Sequence, residues 1–237
     1  MLVDPTSTPT NMGSPAALEL RARRLGDFGD EPLGFLGRAL PDLAADDDAL
    51  GAWREALRLD PADGKNRENV ERLATALGRF EDLAAAWEEA FRAADEDNLA
   101  LRGELLRRAA ELYDQQLGDL DRARDAWKRL LDLDPTSLDT AKPAAVALAR
   151  LYELGEGWSD LIDVLRRQAE WADPRERKEI LFRVGTIQQD LLRDSAAAIA
   201  TYREILEADA EETRALDALE RLHIALSQWP ELIEILK

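Results

Sequence analysis

Residues 52–61, Ala-Trp-Arg-Glu-Ala-Leu-Arg-Leu-Asp-Pro, return as Ala-Trp-Lys-Arg-Leu-Leu-Asp-Leu-Asp-Pro at 126–135, a separation of 74 residues. Both stretches carry apolar residues at three- and four-residue steps, the period of one helical face. Both end on Asp-Pro, which a helix does not continue through. Extending the register in both directions gives six segments, with a first anchor at Asp46, Phe80, Leu120, Trp158, Ser195 and Trp229. The spacings between anchors are 34, 40, 38, 37 and 34 residues. Three residues past each anchor stand Ala49, Leu83, Ala123, Leu161, Ala198 and Leu232. Seven past stand Trp53, Trp87, Trp127, Leu165, Tyr202 and Leu236. Any one match is common in a chain rich in Ala and Leu, but agreement in three columns marks an internal repeat whose unit is a helix pair.

Alternation of Ala and Leu in the second column divides the segments into two kinds, each recurring every 71–78 residues. One kind opens on an aromatic and continues with leucine (Phe80, Trp158, Trp229). The other has alanine at the second anchor and an aromatic at the third (Trp53, Trp127, Tyr202). The pattern predicts a higher unit of two different helix pairs, about 75 residues long.

Helix punctuation supports an all-α chain. Asp173-Pro174-Arg175-Glu176 combines a capping aspartate, a first-turn proline and a glutamate placed to reach back. Leu59-Asp60-Pro61 and Leu133-Asp134-Pro135 read as helix ends, and strand-like alternation is missing. Residues 1–15, rich in Pro, Ser, Thr and Gly, read as a disordered tail. Ser14-Pro15 reads as a helix start, and residues 16–45, broken by Gly26, Gly29, Pro32, Gly34 and Pro41, as an irregular helical cap. The repeats fill 46–237, the last stopping about seven residues short of a full second helix.

Composition removes several classes of function. Of 237 residues, 49 are acidic and 31 basic, a formal charge of −18, and only one is histidine. There is no cysteine, which excludes a disulfide scaffold, a thiolate metal site and a cysteine nucleophile. One histidine excludes a paired-histidine metal site. The negative charge argues against general nucleic-acid binding, which needs a basic face. No apolar run is long enough to cross a bilayer, and Met1-Leu2-Val3-Asp4-Pro5 has no secretory character. A cytoplasmic protein is expected. Lysine supplies only five of the basic residues (Lys65, Lys128, Lys142, Lys178, Lys237), and with abundant alanine this points to a bacterial source.

Leu112-Tyr113, Gly118-Asp119-Leu120, Ala123, Ala126-Trp127 and Leu133-Asp134-Pro135 together resemble a tetratricopeptide repeat: the end of a first helix, a turn and a second helix. The resemblance extends over 46–237, about four-fifths of the chain. It implies a right-handed α-solenoid of antiparallel helix hairpins, whose first helices line a concave groove for peptides or partner domains. The small residue the family places midway along the first helix stands here as Ala110, Ala149 and Gly185, whereas Glu71 and Glu220 depart from it. The closing proline is kept only at Pro61 and Pro135.

Among individual residues, Arg72, Arg150 and Arg221 precede leucine at equivalent steps of the aromatic-anchor repeats, with Glu111 and Thr186 in the intervening ones. By family analogy this column faces the groove. Forked guanidinium donors there suit carboxylates or phosphates on a partner, and the competing reading is ion pairing with acids such as Glu111. The family's carboxylate clamp needs lysine and asparagine where this chain has Glu68 with Arg72, Arg107 with Glu111 and Val146 with Arg150, so that clamp does not carry over. The six tryptophans fall in repeat columns, Trp171 with Leu59 and Leu133, and read as packing residues rather than a ligand cage. His223 stands in the column of Tyr113 and Tyr152 and reads as their packed substitute. Asp46-Asp47-Asp48 and Asp95-Glu96-Asp97 lack the spaced oxygens and turn glycine of a calcium loop. With no phosphate loop, nucleophile elbow or zinc-protease motif, no catalytic residue, metal or cofactor is expected. The expected function is a noncatalytic scaffold binding a partner protein or peptide, possessing acidic residues, in the groove. The alternative is an assembly module that self-associates or stacks through its C-terminal helix pair.

Overall fold

The computed structural model describes residues 43–134 and 137–235, so the expected tail, the expected cap up to residue 42, the helix start at Ser14-Pro15, Pro135 and the third anchor Leu236 lie outside the described residues. No strand occurs among the described residues. Two compact units divide after Asp134. The first holds α1 (Leu43–Leu59), α2 (Gly64–Leu77), α3 (Phe80–Ala93), α4 (Leu99–Leu112) and α5 (Leu120–Leu133). The second holds α6 (Leu138–Leu154), α7 (Trp158–Trp171), α8 (Pro174–Thr186), α9 (Ser195–Ala208), α10 (Thr213–Ala225) and α11 (Trp229–Ile235). Two short π-helical segments, Tyr113–Leu117 and Ile187–Leu191, extend α4 and α8. Within each unit, helices consecutive in sequence pack against each other, as in a tetratricopeptide-type array of helix hairpins.

The anchor columns explain that packing. Ala49, Leu83, Ala123, Leu161 and Ala198 are buried, and so are Trp53, Trp87, Trp127, Leu165 and Tyr202. They lie four residues apart on one face of each second helix, which makes them neighbours against the adjoining helices. The first anchor plays another part: α3, α5, α7, α9 and α11 each begin on it. Trp229 is accordingly 55% exposed, a correction to its reading as a packing residue, while Trp158 is half-buried. The column of Trp171 is also corrected. Leu59, Leu133 and Trp171 are the last residues of α1, α5 and α7, where a neighbour covers only one side. Leu59 is exposed and the other two half-buried, with the Arg167 guanidinium 5.9 Å from the Trp171 ring centre.

Helix starts follow the sequence signals. Asp63, Asn98, Asp119 and Asp194 each accept a hydrogen bond from a first-turn backbone N–H, and Asp173 accepts two, ahead of Pro174. The hairpin turns share one device. Gly78, Gly118, Glu156, Arg193 and Ser227 all have φ between 54° and 67°, and each stands two residues before the next helix. Three turns close by a bond from the following N–H to the carbonyl five residues back: Arg79 to Ala74, Gly157 to Tyr152 and Gln228 to His223. In the other two, Asp119 reaches Tyr113 and Asp194 reaches Gln188, six residues back. Those two hold the π-helical segments, and each therefore contains one extra residue. They precede α5 and α9, whose second anchor is alanine; the turns before α3, α7 and α11, whose second anchor is leucine, have no such segment.

Candidate functional site

The arginines singled out by the repeat pattern lie on first helices: Arg72 on α2 in the first unit, Arg150 on α6 and Arg221 on α10 in the second. All three are exposed. An Arg72 NH group donates to Asn69 Oδ1 at 3.3 Å, and Arg221 Nε donates to the Asp217 carbonyl at 3.1 Å. Arg72 and Arg221 thus each make a bond within their own helix. The intervening residues are engaged within their helices too: Glu111 accepts from Arg107 at 2.5 Å, and the Thr186 hydroxyl donates to the Phe182 carbonyl at 2.9 Å.

The first helices are also tied to one another by ion pairs that periodicity did not reveal. Glu71 on α2 pairs with Arg108 on α4. In the second unit Glu153 on α6 meets Arg183 on α8, and Glu179 on α8 meets Arg214 on α10, both at 2.8 Å. The Arg214 guanidinium also stacks 3.9 Å from the ring centre of buried Phe182, a cation–π contact. Glu71 departs from the family's small residue at its position, and its charge is what reaches the neighbouring hairpin. The small residue itself has a use at Gly185, which lies against the Tyr202 ring.

Second helices are bridged in the same way. Arg122 on α5 grips Glu81 on α3 with two bonds of 2.8 Å, and Arg129 on α5 grips Glu88 on α3 at 2.8 and 3.0 Å. The hydrogen bonds from Arg122 hold the Glu81 carboxyl below its usual range. In the second unit Arg166 on α7 reaches Glu204 on α9 at 3.2 Å and Thr201 Oγ1 at 2.9 Å. The Thr201 hydroxyl in turn donates to Gln188 Oε1 at 2.7 Å, a buried contact between α9 and the second π-helical segment.

His223 is buried, its Nδ1 2.7 Å from Gln228 Oε1 across the turn before α11. It fills the place that Tyr113 and Tyr152 fill in other hairpins, also buried. Among the described residues no group of three or more His, Asp or Glu side chains is placed to hold a metal ion. Asp95 bonds the Asp97 N–H and so shapes the loop before α4; the triplet at 46–48 begins with a side chain outside the described residues. No helix among the described residues is long and apolar enough to cross a membrane.

Sequence reasoning also missed a cavity of about 640 Å³ in the second unit, between the loop after α7, the start of α8 and the end of α9. Its floor is Leu181 and Ile205, both nearly fully buried. Ala208, the last residue of α9, stands at its edge where α1 and α5 end in Leu59 and Leu133, but α3 also ends in alanine, so this position alone does not announce the cavity.

Residues 104–137 match the family model described as tetratricopeptide repeat, over most of α4, the first π-helical segment and α5. Solved structures similar to the chain include MamA, at 17% identity over 73% of this chain and 87% of that one, with a TM-score of 0.39. YrrB, described as a TPR protein with an unusual peptide-binding site, is 13% identical over 85% of this chain and 98% of its own, with a TM-score of 0.36. The TPR2AB domain of yeast Sti1, solved in complex with pHSP90, is 15% identical over 94% and 89%, with a TM-score of 0.33. Among curated proteins there is no match.

Proposed function

We propose that this tetratricopeptide-like chain is a noncatalytic scaffold that binds a partner protein or peptide along its first helices. The observation that carries the reading is the division of labour on those helices. Buried faces and inter-hairpin ion pairs join neighbouring hairpins within each unit, and one repeat position carries an exposed arginine at Arg72, Arg150 and Arg221. Guanidinium forks suit carboxylates, so the partner segment is an acidic one, extended or helical. Stacked helix pairs supply long surfaces of this kind because a pair alone cannot bury its apolar face. The test is capture of partners from the source organism with the intact chain, compared with a variant carrying Arg72→Ala, Arg150→Ala and Arg221→Ala. Loss of specific partners supports the reading; capture of the same partners at the same yield contradicts it.

A second reading, self-association through the last helix pair, is favoured by one observation. Ile224, Leu226, Trp229 and Ile233 on and between α10 and α11 are all exposed, Ile233 by 57%. The corresponding Ile162 and Ile199, four residues past the first anchors of α7 and α9, are buried. Clustered exposed apolar side chains mark interaction surfaces. Light scattering at rising concentration distinguishes the two: a mass that stays monomeric removes the assembly reading.

A further inference from the structure

The cavity beside α8 has the makings of a docking site away from the arginine column. Above the floor of Leu181 and Ile205, its walls are Ala172, Pro174 and Ala208. Its size falls in the range of small-ligand and side-chain pockets, about 300–1,000 Å³. The corresponding helix-end position is leucine in α1 and α5, tryptophan in α7 and alanine in α3. Its rim carries three cations, Arg175, Arg177 and Lys178, and one lining carboxylate, Asp209. Two of the cations are held. Arg177 donates to Glu204 at 2.8 Å, and Lys178 lies 3.0 Å from Asp209 and 2.6 Å from Glu212. Asp173 accepts from the Arg175 backbone N–H, but among the described residues the Arg175 side chain has no hydrogen-bond partner. An apolar recess with one spare guanidinium at its edge therefore calls for an apolar group next to an anion.

We propose that this cavity docks a short acidic segment of a partner protein, with one large apolar side chain entering over Leu181 and Ile205 and an adjacent carboxylate pairing with Arg175. The apolar side chain gains by leaving water, and the carboxylate adds two forked hydrogen bonds that orient it. An anionic membrane presents negative charge as well, but a recess of this size admits a protruding side chain more readily than a flat headgroup surface. The site lies at the end of the hairpin opposite the turns, so it stands or falls separately from the arginine-column reading.

Fluorescence anisotropy with the full chain tests it, the probe being fluorescein-labelled Glu-Asp-Asp-Leu-Phe-Asp-Glu-Glu. Saturable binding is expected, weakened by about tenfold or more in Ala208→Leu, which restores the residue of the sister helices, and in Arg175→Glu. Replacing Leu and Phe of the probe with Ser weakens binding to a similar degree. Circular dichroism melts identical to the parent chain establish that both variants fold; Arg175 is exposed, so its variant keeps the test open if Ala208→Leu does not fold. The proposal is overturned by an absence of saturable binding, by unchanged affinity in Arg175→Glu or in folded Ala208→Leu, or by equal binding of the Ser probe. A preference for phosphatidylserine vesicles that outcompete the probe also overturns it.

Discussion

Gly185 lies so close beneath Tyr202 that a Cβ added to it would stand 2.7 Å from the tyrosine Cε1 and 2.8 Å from Cζ. α8 and α9 approach each other through this pair, and Tyr202 belongs to a core of Leu181, Phe182, Ala198, Ile205 and Leu219. Gly185→Ala is expected to lower stability by about 1–3 kcal/mol, the usual effect of overpacking, even though alanine is the better helix former. Urea denaturation followed by circular dichroism measures this. A variant as stable as the parent would show that the ring moves aside freely.

The five left-handed turn residues predict opposite effects at equivalent sites. Gly118 takes its conformation without a Cβ penalty, whereas Arg193 takes it with one. Gly118→Ala should lower stability by about 1 kcal/mol, and Arg193→Gly should raise it by up to about 1 kcal/mol, the gain being trimmed by the larger chain entropy of glycine when unfolded. Thermal melts of the two variants side by side provide the comparison.

Acid should loosen the stack before it affects the core. Hydrogen bonds from Arg122 depress Glu81, backbone and side-chain hydrogen bonds from Arg122 depress Asp119, and hydrogen bonds from Lys178 depress both Glu212 and Asp209. A carboxylate whose folded pKa lies below its unfolded value contributes stability above the unfolded value, about 4, and loses it as pH falls through the folded one. Lys178 is shifted upward by the hydrogen bonds it donates to Glu212 and Asp209, so its share is present below the ordinary lysine range and lost only in strong alkali. Melting temperature is therefore expected to be level from pH 6 to 8 and to fall below about pH 4. Because these groups are exposed, 1 M salt should weaken their contribution at neutral pH as well.

Thr201→Val would leave Gln188 Oε1 buried without its donor and remove an acceptor from Arg166. The expected loss is about 1–3 kcal/mol, with Thr201→Ser largely restoring stability because the hydroxyl is kept. Equal stability of the valine and serine variants in urea titration would mean that the packing of the methyl, not the bond, is what matters.

Two-column burial was legible in the sequence because apolar period and helical period coincide: Ala49 with Trp53, Ala123 with Trp127 and Ala198 with Tyr202 are all buried. The first column misled at Trp229, since a helix-starting position and a core position carry the same spacing signal. The π-helical segments went unnoticed, yet a trace of them is in the chain. Seven residues separate Tyr113 from Leu120 and Gln188 from Ser195, while six separate Ala74 from Phe80, Tyr152 from Trp158 and His223 from Trp229. That extra residue alternates with the Ala and Leu anchors. Left-handed turns at Glu156, Arg193 and Ser227 were hidden because none is glycine or asparagine, the residues that announce that conformation. The ion pairs were hidden for another reason: a charged residue 37 or 41 positions away leaves no local pattern, and nearly every helix face offers candidates.

Those ion pairs give each unit an address system. Apolar columns of alanine, leucine and tryptophan recur from hairpin to hairpin, so hairpins of one kind present similar shapes to their neighbours. The pairs Glu81 with Arg122, Glu88 with Arg129, Arg166 with Glu204 and Glu179 with Arg214 each name one particular neighbour. A hairpin transplanted to another place in its unit would find the right grease and the wrong signs. Chain order is thus written twice, once in the covalent backbone and once in the charges that only the correct succession brings together.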